Sequence, residues 1–205
     1  MSGKDCGNHG GYWPCKRHKV FRRLFACFLC LIIVVLFAIL VIWLVLRPSK
    51  PRFNLQDATV TNFNLAAPNL LSFTVQITIG SRNPNDRIGI YYDRLDVYAD
   101  YKGQQITAAT ALPTGYQGHD DFSVWSPYLY GNNVPLAQYL AVAVDQDESA
   151  GFILIYFKID GRLRWKVGTW ISGNYHIDVN CPAFFTVNST KEFQFQKTTS
   201  CSVDV

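Results

Sequence analysis

The 205-residue chain is 49% apolar and only 17% charged, which excludes disorder of the whole and leaves room for one ordinary domain with accessories. Its net charge of +4 divides unevenly: residues 1–23 carry Lys4, Lys16, Arg17, Lys19, Arg22 and Arg23 against Asp5, a net +5, while residues 47–205 carry thirteen Lys/Arg against fourteen Asp/Glu, a net −1. A near-neutral folded part argues against nucleic acid as a partner, because phosphate binding needs a basic face there.

After the basic tail, 1–23, Leu24 to Leu46 forms a run of 23 residues without a charge, a proline or a glycine. At about 1.5 Å per residue a helix of that length reaches roughly 35 Å, enough to cross a hydrocarbon core of about 30 Å. The run ends in Trp43-Leu44-Val45-Leu46-Arg47-Pro48, with no small-residue cleavage site, so an uncleaved signal anchor fits better than a removed signal peptide. Five Lys/Arg precede the helix within eight residues, against Arg47, Lys50 and Arg52 after it. That bias sets the N-terminus in the cytosol and the remainder in the lumen or outside the cell. Cys27-x-x-Cys30 lies inside the apolar run, where acylation or lipid-facing packing explains it better than redox chemistry. A homo-oligomer through this helix stays open, although no Gly-x-x-x-Gly face specifies one.

Residues 47–52, with Pro48 and Pro51, read as a stiff linker to a domain at 53–205. Leu71, Phe73, Val75, Ile77 and Ile79 alternate with Ser72, Thr74, Gln76 and Thr78, the period of a half-buried strand. Weaker alternation marks Phe53–Leu65, Leu95–Tyr101 and the surroundings of Ile106. It returns at Ile153–Ile159, Leu163–Val167, Ile177/Val179 and Phe193/Phe195. Asp160-Gly161 signals a hairpin turn between two of these strands. From Pro135 to about Glu148, Leu136, Leu140, Ala143 and Val144 fall at helical spacing, with Pro135 suited to the first turn. Seven or eight strands and one helix predict a mainly β fold, an antiparallel β-sandwich.

Catalytic chemistry is not legible. Residues 47–205 hold only His119 and His176, and no nucleophile elbow, phosphate-binding loop or metal spacing occurs. The expectation is therefore no enzyme, no catalytic residue, no metal and no cofactor. His119-Asp120-Asp121 reads as a solvated turn and His176 as a half-exposed strand residue. Asp93, Asp96 and Asp100 lie in strand-forming sequence, where their spacing predicts that they do not share a face. Cys181 and Cys201 form an even pair. In an oxidising compartment one disulfide would close a loop of about 20 residues, and the alternative is two separate buried thiols. Asn188-Ser189-Thr190, inside that loop, is an N-x-S/T glycosylation sequon.

Two dense segments remain. Arg82-Asn83-Pro84-Asn85-Asp86-Arg87-Ile88-Gly89-Ile90-Tyr91-Tyr92-Asp93 opens with turn chemistry, since Asn side chains satisfy backbone groups and Pro84 fixes φ. Gly161-Arg162-Leu163-Arg164-Trp165-Lys166-Val167-Gly168 alternates apolar and cationic residues. Arg162, Arg164 and Lys166 are then either a solvated basic face or a binding strip for an acidic partner or lipid headgroup.

Together these motifs closely resemble the plant family related to non-race-specific disease resistance and harpin-induced proteins. Its members carry a group-2 late-embryogenesis-abundant domain, also called the water-stress and hypersensitive-response domain. The resemblance spans nearly the whole chain, including tail, helix and both distal cysteines. It implies a β-sandwich with one helix, anchored in the plasma membrane and sometimes associated with plasmodesmata. The implied role lies in defence, the hypersensitive response, senescence or abiotic stress. The family supplies no enzymatic activity and no agreed ligand, so Asn83, Pro84, Asn85, Tyr92, Asp93, Gly161, Arg162, Arg164, Trp165 and Lys166 are expected as fold determinants. The leading expectation is an interaction module with a protein, wall-polymer or lipid partner. The runner-up is a protective domain that buffers the membrane–wall zone without a specific partner.

Overall fold

The computed structural model describes residues 14–45, 48–66, 68–188 and 192–205, apart from the side chains of residues 14–20 and 41–45. The tail before Pro14, with Cys6, and Leu46, Arg47, Ser189 and Thr190 lie outside the described residues. The chain divides into two units, residues 1–47 and 48–205.

In the first unit, helix α1 spans Pro14–Val45. It starts ten residues before the apolar run, because Lys16–Arg23 contains nothing that breaks a helix. Within it Phe21–Leu40 has mean hydropathy 3.0 and exposed side chains, Cys27 and Cys30 among them.

The second unit is mainly β, in two antiparallel sheets. Strand β1 (Arg52–Ala66) pairs along its length with β2 (Leu70–Arg82), and β3 runs from Ile88 to Tyr101. Four short strands follow: β4 (Gln104–Gln105), β5 (Thr110–Ala111), β6 (Gly115–Gln117) and β7 (Phe122–Trp125). β8 (Tyr128–Pro135) leads into helix α2 (Gln138–Ala150). Then come β9 (Phe152–Val167), β10 (Trp170–Ile171), β11 (Tyr175–Val187), β12 (Phe193–Phe195), β13 (Thr199–Ser200) and β14 (Ser202–Asp204). The smaller sheet is ordered β13-β1-β2, with β7 and β8 on the far side of β2. The larger is built on β11-β9-β3, with the short strands at its margins.

The alternation at 71–79 explains the sheet directly: Leu71, Phe73, Val75, Ile77 and Ile79 are fully buried against Ile90, Leu95, Val97, Ile155, Phe157 and Ile177 of the other sheet. Ordering fourteen strands among the described residues rather than seven or eight has a simple cause. The extra ones are two to four residues long, too short to display a period.

Three expectations are corrected. Asp160-Gly161 is no turn, since β9 runs straight through it. Gly161 is there for close approach: a Cβ would lie 2.2 Å from the Arg94 carbonyl oxygen on β3. The helix begins later than Pro135, which ends β8, and buries Leu140, Ala141 and Val144. Asp93, Asp96 and Asp100 do share the outer face of the larger sheet, because a bulge between Tyr92 and Arg94 shifts the strand's parity. They pair there with Arg164, Arg94 and Lys158, respectively.

Candidate functional site

Antiparallel pairing of β3 with β9 brings the two sequence motifs together. Gly89 faces Lys166, Ile90 faces Trp165, Tyr91 faces Arg164 and Leu95 faces Gly161. The inward residues Ile90, Tyr92, Leu163 and Trp165 enter the core. The outward ones form a small cationic–aromatic cluster.

Gly89 makes that cluster geometrically available, since a Cβ there would collide with the Tyr116 hydroxyl and meet its ring at 2.5–2.7 Å. Tyr116 therefore lies over the backbone, its ring centre 4.7 Å from that of Tyr91. The Lys166 ammonium sits 4.9 Å from the Tyr116 centroid and 5.6 Å from that of Tyr91, within cation–π range of both. Arg164 forms a two-pronged pair with Asp93 (2.7 and 2.6 Å) and also lies over Tyr91. The hydrogen bond to Asp93 and its charge raise the Arg164 pKa. The three strip cations therefore differ: Arg164 is neutralised and Lys166 is held over two rings. Arg162 has no ion-pair partner among the described residues and lies between Arg94 and His176 in register.

Beneath the motif turn, Asn83 is fully buried and every polar atom of its side chain is engaged. Its Nδ2 donates to the Ile88 and Gly118 carbonyls (2.7 and 2.8 Å), and its Oδ1 accepts from the Asn85 backbone and side chain (3.1 and 2.9 Å). Asn85 in turn grips the backbone of Ser49 twice, at 2.8 Å each way. Asn-Pro-Asn thus ties the entry of the domain to β3 and to the 118–121 loop. Nearby, Ser81, Tyr92 and Gln117 form a second buried network at 2.8–3.5 Å. Burial there raises the Tyr92 pKa well above its ordinary value. This network lies behind a cleft of about 350 Å³ between β6 and β7, lined by Tyr92, Pro113, Tyr116, Val124 and Trp125.

Cys181 on β11 is joined to Cys201 by a disulfide, with the Cα atoms 4.3 Å apart. The bond lies where the chain crosses from β13 in the smaller sheet to β14 in the larger. Asn188 is exposed in the β11–β12 turn and exchanges hydrogen bonds with Glu192. Asp120 of the His119-Asp120-Asp121 segment pairs with Arg82, and Asp121 caps Gly118 and Phe122. His176 does more than sequence reading gave it. With Asp160, whose carboxylate oxygen lies 3.5 Å from its Nε2, and Asp178 it forms an exposed group whose ligand atoms lie within 4.8 Å of one another. Cross-strand register assembles that group, and no local spacing signals it.

The LEA_2 description, late embryogenesis abundant protein, matches residues 78–181. NDR1/HIN1-like protein 1 of Arabidopsis thaliana is 49% identical over 212 residues, covering 98% of this chain and 100% of the relative. NDR1/HIN1-like protein 12 of the same plant is 53% identical over 187 residues, covering 91% and 88%. An Arabidopsis thaliana protein solved in solution aligns over 72% of this chain and 88% of its own, at 13% identity and a TM-score of 0.37.

Proposed function

This chain belongs to the LEA_2 late embryogenesis abundant family, among the NDR1/HIN1-like proteins, and from that premise we propose that it is a membrane-anchored, non-enzymatic interaction protein of plant defence and stress responses. The tail of residues 1–23 lies in the cytosol and residues 24–46 cross the plasma membrane. Residues 48–51 belong to the domain, where Asn85 holds Ser49 and β1 starts at Arg52, and that domain then stands on the outer side. The observation that carries this reading is Phe21–Leu40, a helix of mean hydropathy 3.0 with exposed side chains joined to a domain that contains a disulfide. An apolar helix without protein cover seeks lipid, and a stable disulfide belongs to an oxidising compartment. Asn188, exposed in a turn, suits glycosylation on that side.

The test is a glycosidase mobility shift of the full-length chain expressed in plant cells, with Asn188→Gln as control. A shift that vanishes in the control is the expected result. No shift, together with a domain that protease added to intact cells leaves whole, would move residues 47–205 to the cytosol and end the reading.

A further inference from the structure

We propose that the outer face of the smaller sheet is a binding platform for a neutral, extended polysaccharide of the β-glucan class. The assignment deepens the proposed function and rests on its outward-facing domain.

The face is built from cross-strand rows. One aligns Thr59, Gln76 and Tyr128, and the next Asn62, Thr74 and Tyr130. The row beyond continues with Asn64 opposite Ser72, whose hydroxyl bonds Asn133. No charged side chain enters these rows. Charge appears only toward the other end, at Asp57 and at Arg52 and Arg82, the last paired with Asp120. The larger sheet is opposite in character. Asp96, Asp160 and Asp178 stand in one row of its outer face and Arg94, Arg162 and His176 in another. An ionic partner has that face to choose, and the neutral face selects against anionic lipid and acidic peptide.

Tyr128 and Tyr130 give the neutral face its affinity. They are 45% and 51% exposed, with ring centres 6.1 Å apart and planes within 20° of parallel. Neither phenol has a hydrogen-bond partner among the described residues. A sugar ring presents C–H groups on its faces and hydroxyls around its rim. The C–H face packs on an electron-rich aromatic face, and amide and hydroxyl side chains both donate to and accept from the rim. Tyrosine supplies this contact with little entropy to lose. The two tyrosine rows offer Gln76, Thr74, Thr59 and Asn62 for the rim and hold no aliphatic side chain of the kind that forms the core of a protein interface, while the exposed Val124 and Phe122 lie at the charged end of the face, opposite Gly80 and Arg82.

The experiment uses the full-length chain in detergent micelles, run by affinity electrophoresis through gels containing hydroxyethyl cellulose, with polygalacturonate as the anionic comparison. The expected result is retardation by the neutral glucan that survives about 1 M salt, where the Debye length is about 3 Å. Tyr128→Ala with Tyr130→Ala should weaken it at least about tenfold, and Gln76→Lys should weaken it without removing a ring. Lys166→Glu, on the other sheet, should leave it unchanged. Absence of retardation in the natural chain would overturn the proposal, as would equal retardation of both Tyr128/Tyr130 and Gln76 variants, or retardation abolished by salt. Topology is read by the Asn188 shift alone. A cytosolic domain would end the proposed function while the binding result stood, and an unretarded chain would end this assignment while the topology stood.

Discussion

Removing the Asn83 side chain tests whether the Asn-Pro-Asn turn is a determinant of the fold. Asn83→Ala deletes four hydrogen bonds in a fully buried place and strands the Ile88 and Gly118 carbonyls that its Nδ2 served. At about 1 kcal/mol net per bond the loss is about 4 kcal/mol, and stranded buried groups keep it from being smaller. That is a large part of a total stability of about 5–15 kcal/mol. A domain of this size loses about 2–4 °C per kcal/mol, so the midpoint should fall by about 8–16 °C. Far-ultraviolet circular dichroism in the β-sheet region, recorded during a thermal scan of the full-length chain in micelles, reads it. Asn83→Asp keeps the acceptor, loses both amide donors and buries a charge, so it should fall at least as far. Asn85→Ala deletes three hydrogen bonds, two to Ser49 backbone groups that water can reach and one to Asn83 Oδ1, which keeps the Asn85 N–H, so it should cost about 2–3 kcal/mol, less than Asn83→Ala. An Asn83→Ala midpoint within about 2 °C of the parent, less than 1 kcal/mol, would refute the reasoning.

Three further outcomes follow from named contacts. Gly161→Ala drives a Cβ into the Arg94 carbonyl and should cost about 1–3 kcal/mol in urea unfolding. Gly168→Ala, at φ +58° with open space around it, should cost about 1 kcal/mol, and a reversed order would overturn the close-approach account. Reductant should lower the stability of the parent by about 3 kcal/mol in the chain-entropy model and leave Cys201→Ser unmoved. A parent equally stable with both thiols shown free would contradict this. Burial raises the Tyr92 pKa, and burial followed by Asp147 raises that of Tyr101. Both phenols ionise later in the folded than in the unfolded chain. Their stabilisation is therefore intact below about pH 10 and is lost as pH rises through and beyond it. Tyr92→Phe should flatten the decline of the thermal midpoint above pH 10, and an unchanged slope would exclude Tyr92 as a contributor.

Much of this architecture was legible because burial leaves a period. Leu71–Ile79 declares its inward face, and the apolar run that opens at Leu24 declares a long helix with exposed apolar side chains over Phe21–Leu40. The Asn83-Pro84-Asn85 turn is also legible, since Asn side chains that satisfy backbone groups mark a turn. What local sequence hides is the neighbour across the sheet. Asp160-Gly161 looks like a turn because glycine permits one, yet here its missing Cβ admits the β3 backbone. The bulge at Tyr92/Arg94 reverses parity with no marker in composition, which hid the common face of Asp93, Asp96 and Asp100. Arg162, Arg164 and Lys166 read as one basic strip. Asp93, Tyr91 and Tyr116, supplied by other strands, give the three cations different states. Tyr128 and Tyr130 gave no signal either, since an amphipathic ring fits a core or a surface equally well.

The grip of Asn85 on Ser49 has a mechanical meaning for a domain tethered through its first residues. A pull on the chain at residue 48 meets the two Ser49 hydrogen bonds first, then passes along β1. The β1 ladder to β2 extends from Arg52 to Ala66, and Asn54 and Leu55 are also paired to β13. Ladder bonds run perpendicular to the strands, so tension along β1 loads many of them at once in shear and cannot peel them singly. The turn works as a strain relief, and behind it the strand that takes the load belongs to the sheet whose outer face carries Tyr128 and Tyr130.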